Sequence, residues 1–140
     1  MKMINKILII ITLLSLSINT QALMERTLVT TATYESYVAC VAAKEDIAFD
    51  NVYLLMHNNR NKVNSEGDQI PLSFNPRFDT ELLQHYHLIY ELTKDERMVD
   101  CDMFASIIYD SLKEEFDVCD MGEYSPMGKK YEDVVLSLLK

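Results

Sequence analysis

Helix breakers in this chain are few, and they are grouped. Its three glycines and three prolines fall into two segments: Gly67, Pro71 and Pro76 in "NNRNKVNSEGDQIPLSFNPRFDT", and Gly122, Pro126 and Gly128 in "CDMGEYSPMGKK". Glycine inside a helix costs about 1 kcal/mol relative to alanine and proline about 3 kcal/mol, so these two segments mark the main interruptions. Elsewhere apolar residues recur three and four positions apart, the period of helices that bury one face.

Before the first break, Tyr34, Val38, Val41, Ala48, Val52 and Leu55 keep that spacing, with Glu45 as the mismatch. The pattern predicts one long helix, or two joined near "KED" with Asp46 capping the second. Beyond the break, Asp79 is placed to cap "TELLQHYHLIYEL", with Leu82, Leu83, Tyr86, Ile89 and Tyr90 inward; Thr93 with Glu96 fits a capping box for a short turn. A further helix is expected from about Asp102 to Phe116, with Phe104, Ile107, Ile108, Ser111 and Leu112 on one side. The last starts at Ser125-Pro126, a cap followed by proline at the first position, and buries Tyr131, Val134, Val135 and Leu138. Strands have little support, since the best candidate, "QIPLSF", is interrupted by Pro71. The expectation is an all-α, single-domain bundle of four or five helices with one long loop at 60–78. A connection of that length is usually functional or disordered.

The N-terminus points to export. "MKMINKILIIITLLSLSINTQA" carries Lys2 and Lys6, an apolar run from Ile7 to Leu16, and small residues at Thr20 and Ala22. That is the pattern of a secretory signal peptide, with cleavage expected after Ala22; its apolar run is too short for a stable membrane span. Residues 1–22 are thus read as leader and 23–140 as a periplasmic or secreted domain, with no membrane insertion after cleavage. The formal net charge is −9, and losing Lys2 and Lys6 takes it to −11. Such a balance argues against nucleic acid and anionic membranes as partners, because both demand clustered Lys and Arg. It favours attraction to basic surfaces.

Three cysteines, Cys40, Cys101 and Cys119, follow the leader. In an oxidising compartment a disulfide is the default. If 102–117 is one straight helix, Cys101 and Cys119 lie roughly 25 Å apart at its two ends. Bonding requires alpha carbons within about 7 Å, so the pair that looks matched in sequence is the least suited. Cys40, mid-helix, can reach either end. Cys101 is the favoured partner, because Cys119 sits in a polar, acidic, glycine-adjacent segment, and the bond would close a loop of about sixty residues. Cys119 is left free or available to another chain.

Catalytic chemistry finds little foothold. On a helix, His85 and His87 point to nearly opposite sides; His85 with Glu81 and His87 with Glu91 are four apart, and His57 stands alone. No CxxC, GxSxG, HExxH, phosphate-binding glycine loop or calcium-loop spacing occurs. Neither an enzyme nor a metal or other cofactor is expected. Tyr34, Tyr37, Tyr53, Tyr86, Tyr90 and Tyr109 fall on or beside apolar helix faces, as core and rim residues or as a binding or dimer surface.

The helix between the last two cysteines has a second, acidic side. Asp110, Lys113 and Asp117 lie roughly opposite the apolar face, Glu114 is at its edge, and Glu115 projects toward the apolar side near the helix end. Asp120 and Glu123 extend the acidity. Charged helix faces are ordinarily just solvated. As a docking surface for a basic partner, the face would consist of Asp110, Glu114, Asp117 and Asp120, and the loop from Gly67 to Phe78 is a second candidate region.

Two windows, "TYESYVACVAAKEDI" and "MVDCDMFASIIYDSLKEEF", placed after a leader, resemble the periplasmic amidase-immunity proteins of type VI secretion. The resemblance implies a small, helical, often dimeric protein that blocks the active site of a peptidoglycan amidase, and an interior disulfide at Cys40 and Cys101. The long loop, the third cysteine and the acidic tail depart from that pattern. The expected function is a non-enzymatic envelope binding or inhibitor protein. The alternative is a structural or chaperone-like envelope protein, suggested by eight methionines.

Overall fold

The computed structural model describes residues 22–65, 76–96 and 98–140. The expected leader as far as Gln21, the segment "QIPLSF" and most of the Gly67–Phe78 loop lie outside the described residues. Five α-helices follow one another: α1 (Ala22–Lys44), α2 (Phe49–Ser65), α3 (Pro76–Asp95), α4 (Cys101–Glu115) and α5 (Gly128–Leu139), with a 3₁₀ turn at Cys119–Met121. Among the described residues there are no strands, so the chain is an all-α, single-domain bundle. No helix among them is long and apolar enough to cross a membrane.

α1 is the axis of the bundle. It packs most extensively on α4 and α3 and also touches α2 and α5. From Leu28 to Ala43 every residue is buried except Thr30 and Tyr34. The expected single apolar face is therefore too narrow a description, since a helix enclosed on all sides has no polar face. Ala32, Ala39, Ala42 and Ala43 let neighbouring helices approach closely, and two of the buried polar residues, Thr33 and Glu35, find partners inside, whereas Thr31 Oγ1 and Ser36 Oγ have none among the described residues. Thr33 donates to the Val29 carbonyl at 2.6 Å, and the Tyr86 hydroxyl donates to Glu35 Oε1 at 3.1 Å.

The disulfide joins Cys40, which lies near the C-terminal end of α1 and not at its middle, to Cys101, the first residue of α4, across a Cα–Cα distance of 5.6 Å. Cys119 is free and exposed. Below the disulfide, Phe104, Ala105, Ile108 and Leu112 carry the buried face of α4, while Ile107 and Ser111 are only half-buried. Glu115, expected to lean toward the apolar side, is exposed.

Several helix ends differ from the sequence expectation. Asp46, expected as the cap of α2, lies three residues ahead of its start at Phe49 and terminates α1. Its φ of 55° reverses the chain, with Ile47 N–H donating to Ala42 O at 2.9 Å and Asp46 N–H to Ala43 O at 3.3 Å. This is the Schellman arrangement, and α4 ends the same way at Asp117, also at φ 55°, with Val118 N–H on Lys113 O at 2.9 Å. Thr93 opens no turn. It is buried within α3, its hydroxyl donating to Ile89 O at 2.8 Å. α3 starts at Pro76, three residues ahead of Asp79, as suits proline in a first turn. Because α2 runs to Ser65, only 66–75 remain of the expected 60–78 loop. α5 starts at Gly128, not at Pro126, and buries Val135 and Leu139 while Tyr131, Val134 and Leu138 stay exposed.

Candidate functional site

The connection from α4 to α5 is laid over the outer ends of α1 and α4 and fastened at four points. Arg26 of α1 donates to Asp120 Oδ2 at 2.5 Å. The Gly122 carbonyl accepts from the Tyr109 hydroxyl at 3.0 Å and from Lys113 Nζ at 2.6 Å. Gly122, at φ 88°, holds a backbone that side chains rarely adopt. The Tyr124 hydroxyl donates to Asp102 Oδ1 at 2.6 Å. Met127 N–H then donates to the same oxygen at 2.8 Å, and Gly128 N–H to Asp102 Oδ2 at 3.1 Å.

Asp102 thus caps α5 from another helix. The first turn of a helix leaves backbone N–H groups unsatisfied and partially positive, and a carboxylate answers both deficits. Burial works against the Asp102 charge, but the bonds from Tyr124, Met127 and Gly128 outweigh it and hold the carboxyl below its ordinary value. Asp100 caps α4 itself, accepting from Asp102 N–H at 3.0 Å. Neither acid was singled out from the sequence. The one available signal was an aspartate directly ahead of the helix and another in its first turn.

Two open grooves flank this connection. One, of about 500 Å³, is lined by Tyr34, Tyr109, Tyr124 and Tyr131, with Thr31 and Glu123 among its other walls. The second, of about 610 Å³, shares Tyr124 and Glu123 and adds Asp100, Asp102, Asp110 and Lys113. Burial, then the Tyr131 and Glu35 charges, pushes the Tyr34 hydroxyl up to about 12. Burial likewise raises Tyr124, whose hydroxyl is committed to Asp102, and Tyr131. All three stay neutral donors at ordinary pH.

The four acids singled out from the sequence do not form one set. Asp110 and Glu114 stand exposed on α4, and Asp117 is exposed in the turn after it; among the described residues none of the three has an ion-pair partner. Asp120 is engaged by Arg26, whose hydrogen bond holds its carboxyl below the ordinary value. Asp110 and Glu123 line the acidic groove, whereas Glu114 and Asp117 do not. The Gly67–Phe78 loop cannot be placed beside them, as it falls largely outside the described residues.

The histidines sit apart from all of this. His85 is buried on α3, which lowers its pKa against the opposing pull of Glu81. His87 is exposed, 4.0 Å from Glu91 and edge-on to Phe49 at 4.9 Å between ring centroids. No group of His, Cys, Asp and Glu among the described residues is arranged to hold a metal ion. Of the tyrosines expected in the core, Tyr37, Tyr86 and Tyr90 are buried, Tyr34 and Tyr109 are half-buried on the groove, and Tyr53 is exposed. Tyr124 is the groove residue that the helical pattern missed. Comparison of the chain with protein-family models, curated proteins and solved structures finds no match.

Proposed function

We propose that this protein is a non-enzymatic envelope protein, periplasmic or secreted, that binds and inhibits a basic protein partner. The observation that carries the reading is the exposed row Asp110, Glu114 and Asp117, carboxylates without an ion-pair partner among the described residues, beside a groove to which Asp110 and Glu123 contribute. Exposed like charges gain little for the fold and repel one another, but they steer a basic surface toward the molecule and fix its orientation. Export is supported by the leader pattern and by a disulfide that suits an oxidising compartment. The resemblance in the two cysteine windows makes a peptidoglycan amidase of type VI secretion the first partner to try.

The test replaces Asp110 and Glu114 together by lysine and measures association with such an amidase at low and high salt. Capture at one-to-one stoichiometry, lost at high salt and slowed about ten- to a hundredfold by the double variant, is the expected outcome. Capture undiminished by both changes removes the acidic row from the interface. The alternative, a chaperone-like envelope protein, draws on exposed Met98, Leu54 and Leu138. It expects many unfolded clients and little response to salt.

A further inference from the structure

α1 is enclosed by its neighbours from Leu28 to Ala43 except at Thr30 and Tyr34, which are one turn apart. Both residues line the groove of about 500 Å³, so the groove is where the axis of the bundle is left uncovered. What surrounds the opening is aromatic and comes from four separate segments: Tyr34 of α1, Tyr109 of α4, Tyr124 of the connection and Tyr131 of α5. Tyr34 and Tyr131 meet edge to face at 6.3 Å, and Tyr109 and Tyr124 stand 5.8 Å apart.

Aromatic faces are electronegative and attract cations, the more so where water is partly excluded. Glu123 on the same groove adds a formal charge, and the adjoining groove that shares Glu123 and Tyr124 adds Asp102 and Asp110. An anion entering here would meet a repulsive field. The chemistry already operates within the chain, for Lys113 Nζ stands 5.0 Å from the Tyr109 ring centroid. Of the two basic side chains, the planar guanidinium is the better fit, because it stacks on rings and presents five N–H donors.

We propose that the tyrosine groove is a recognition pocket for an arginine side chain of the protein partner, its guanidinium held among Tyr34, Tyr124 and Tyr131 with Glu123 as counter-ion. That the arginine is supplied by a basic partner rests on the function proposed above; the affinity of the groove for a guanidinium does not. It follows that Glu123 and Tyr131, which the acidic helix face does not include, set specificity.

The experiment is an NMR titration of the protein, exported under its own leader and purified, with acetyl-arginine-amide, with its neutral isostere acetyl-citrulline-amide, and with di-N-acetylchitobiose. A lone side chain should bind with a dissociation constant of about 1–10 mM, saturating the signals of Tyr34, Tyr131 and residues 123–127. Glu123→Gln and Tyr131→Leu should each weaken it about three- to tenfold, and citrulline should bind at least about fivefold more weakly than arginine. Glu123 is exposed, so E123Q tests the pocket without disturbing the core should Tyr131→Leu fail to fold. Equal responses to arginine and citrulline, or none that saturate, overturn the proposal. So does saturation by the saccharide in place of arginine, which would reassign the groove to a glycan. No partner is present in the titration. Its failure would therefore leave capture by the acidic row standing, and failed capture beside a positive titration would refute the partner reading alone.

Discussion

Replacing Asp102 by alanine should loosen the whole α5 end of the molecule. The carboxylate accepts three hydrogen bonds, from Tyr124 Oη at 2.6 Å, Met127 N at 2.8 Å and Gly128 N at 3.1 Å. Bonds to a charged group contribute about 1.5–3 kcal/mol each when desolvated. Asp102 is only half-buried, so solvent screening takes the lower end, and the freed N–H groups of α5 can turn partly to water. A loss of about 2–4 kcal/mol remains, above the usual value of about 1 kcal/mol for a helix cap, because one side chain holds both the cap and the connection. For a domain of this size 1 kcal/mol corresponds to about 4 °C, so Tm should fall by about 8–16 °C.

The assay is thermal unfolding by circular dichroism with the disulfide intact. The matched control is Asp110→Ala on the same helix, exposed and without an ion-pair partner among the described residues, which should stay within about 0.5 kcal/mol of the parent. Hydrogen exchange should show protection lost first over Gly128–Leu139. Acidity gives a second reading of the same bond. The Asp102 carboxyl is depressed in the folded state, so its stabilising effect is complete above the unfolded value near 3.9 and disappears as pH falls through the lower, folded value. D102A should therefore flatten the acid limb of the stability curve below about pH 4, leaving the part owed to Asp120. A Tm within about 4 °C of the parent, with α5 protection unchanged, would refute the capping argument.

Other expectations can be checked on the same samples. Reducing the Cys40–Cys101 bond, or replacing both residues by alanine, should cost about 2–4 kcal/mol in a denaturant titration, and alkylation of the native protein should label Cys119 alone. Asp117→Gly should stabilise by about 0.5–1 kcal/mol, since φ 55° is a left-handed conformation that glycine adopts without strain; a destabilised variant would mean the aspartate side chain has a local role. Thr31→Val should raise stability by about 1 kcal/mol by removing a buried hydroxyl that lacks a partner, and a loss of that size would show that the hydroxyl is satisfied in solution.

What could be read from the sequence was whatever depended on local period and on chain geometry. Phe104, Ile108 and Leu112 repeat on one face because that is the side on which α4 packs against the helices of the bundle, so period and burial agree. The helix between Cys101 and Cys119 is too long to let its ends meet, which leaves Cys40 as the partner of one of them, and the polar, acidic setting of Cys119 points to Cys101. α5 shows the limit. "VVLSLL" carries two apolar stripes at the same spacing, Val134 with Leu138 and Val135 with Leu139, and only packing against α1 and α2 decides that the second is inside. α1 misled for a related reason. Its alanines, threonines and Ser36 weaken any periodic signal, although small residues are what lets an enclosed helix approach its neighbours on every side.

The acidic residues make the same point about function. A surplus of carboxylates on the helix and its extension suggested one docking face, but charge is silent about which acids the fold has already used. Asp100 and Asp102 cap helices and Asp120 holds Arg26, with partners as far away in sequence as Gly128 and Arg26. Removing those three should act chiefly on stability. Asp110, Glu114, Asp117 and Glu123 have no such partner among the described residues, so their removal should act chiefly on association. The division is set by which acids lie within reach of a helix terminus or a cation, and spacing along one helix could not supply it. A variant set that mixes the two groups would lose binding through unfolding and be misread as an interface. Separating them, with Asp102→Ala as the stability reference and Glu123→Gln as the recognition reference, is what makes a charge-reversal experiment on this protein interpretable.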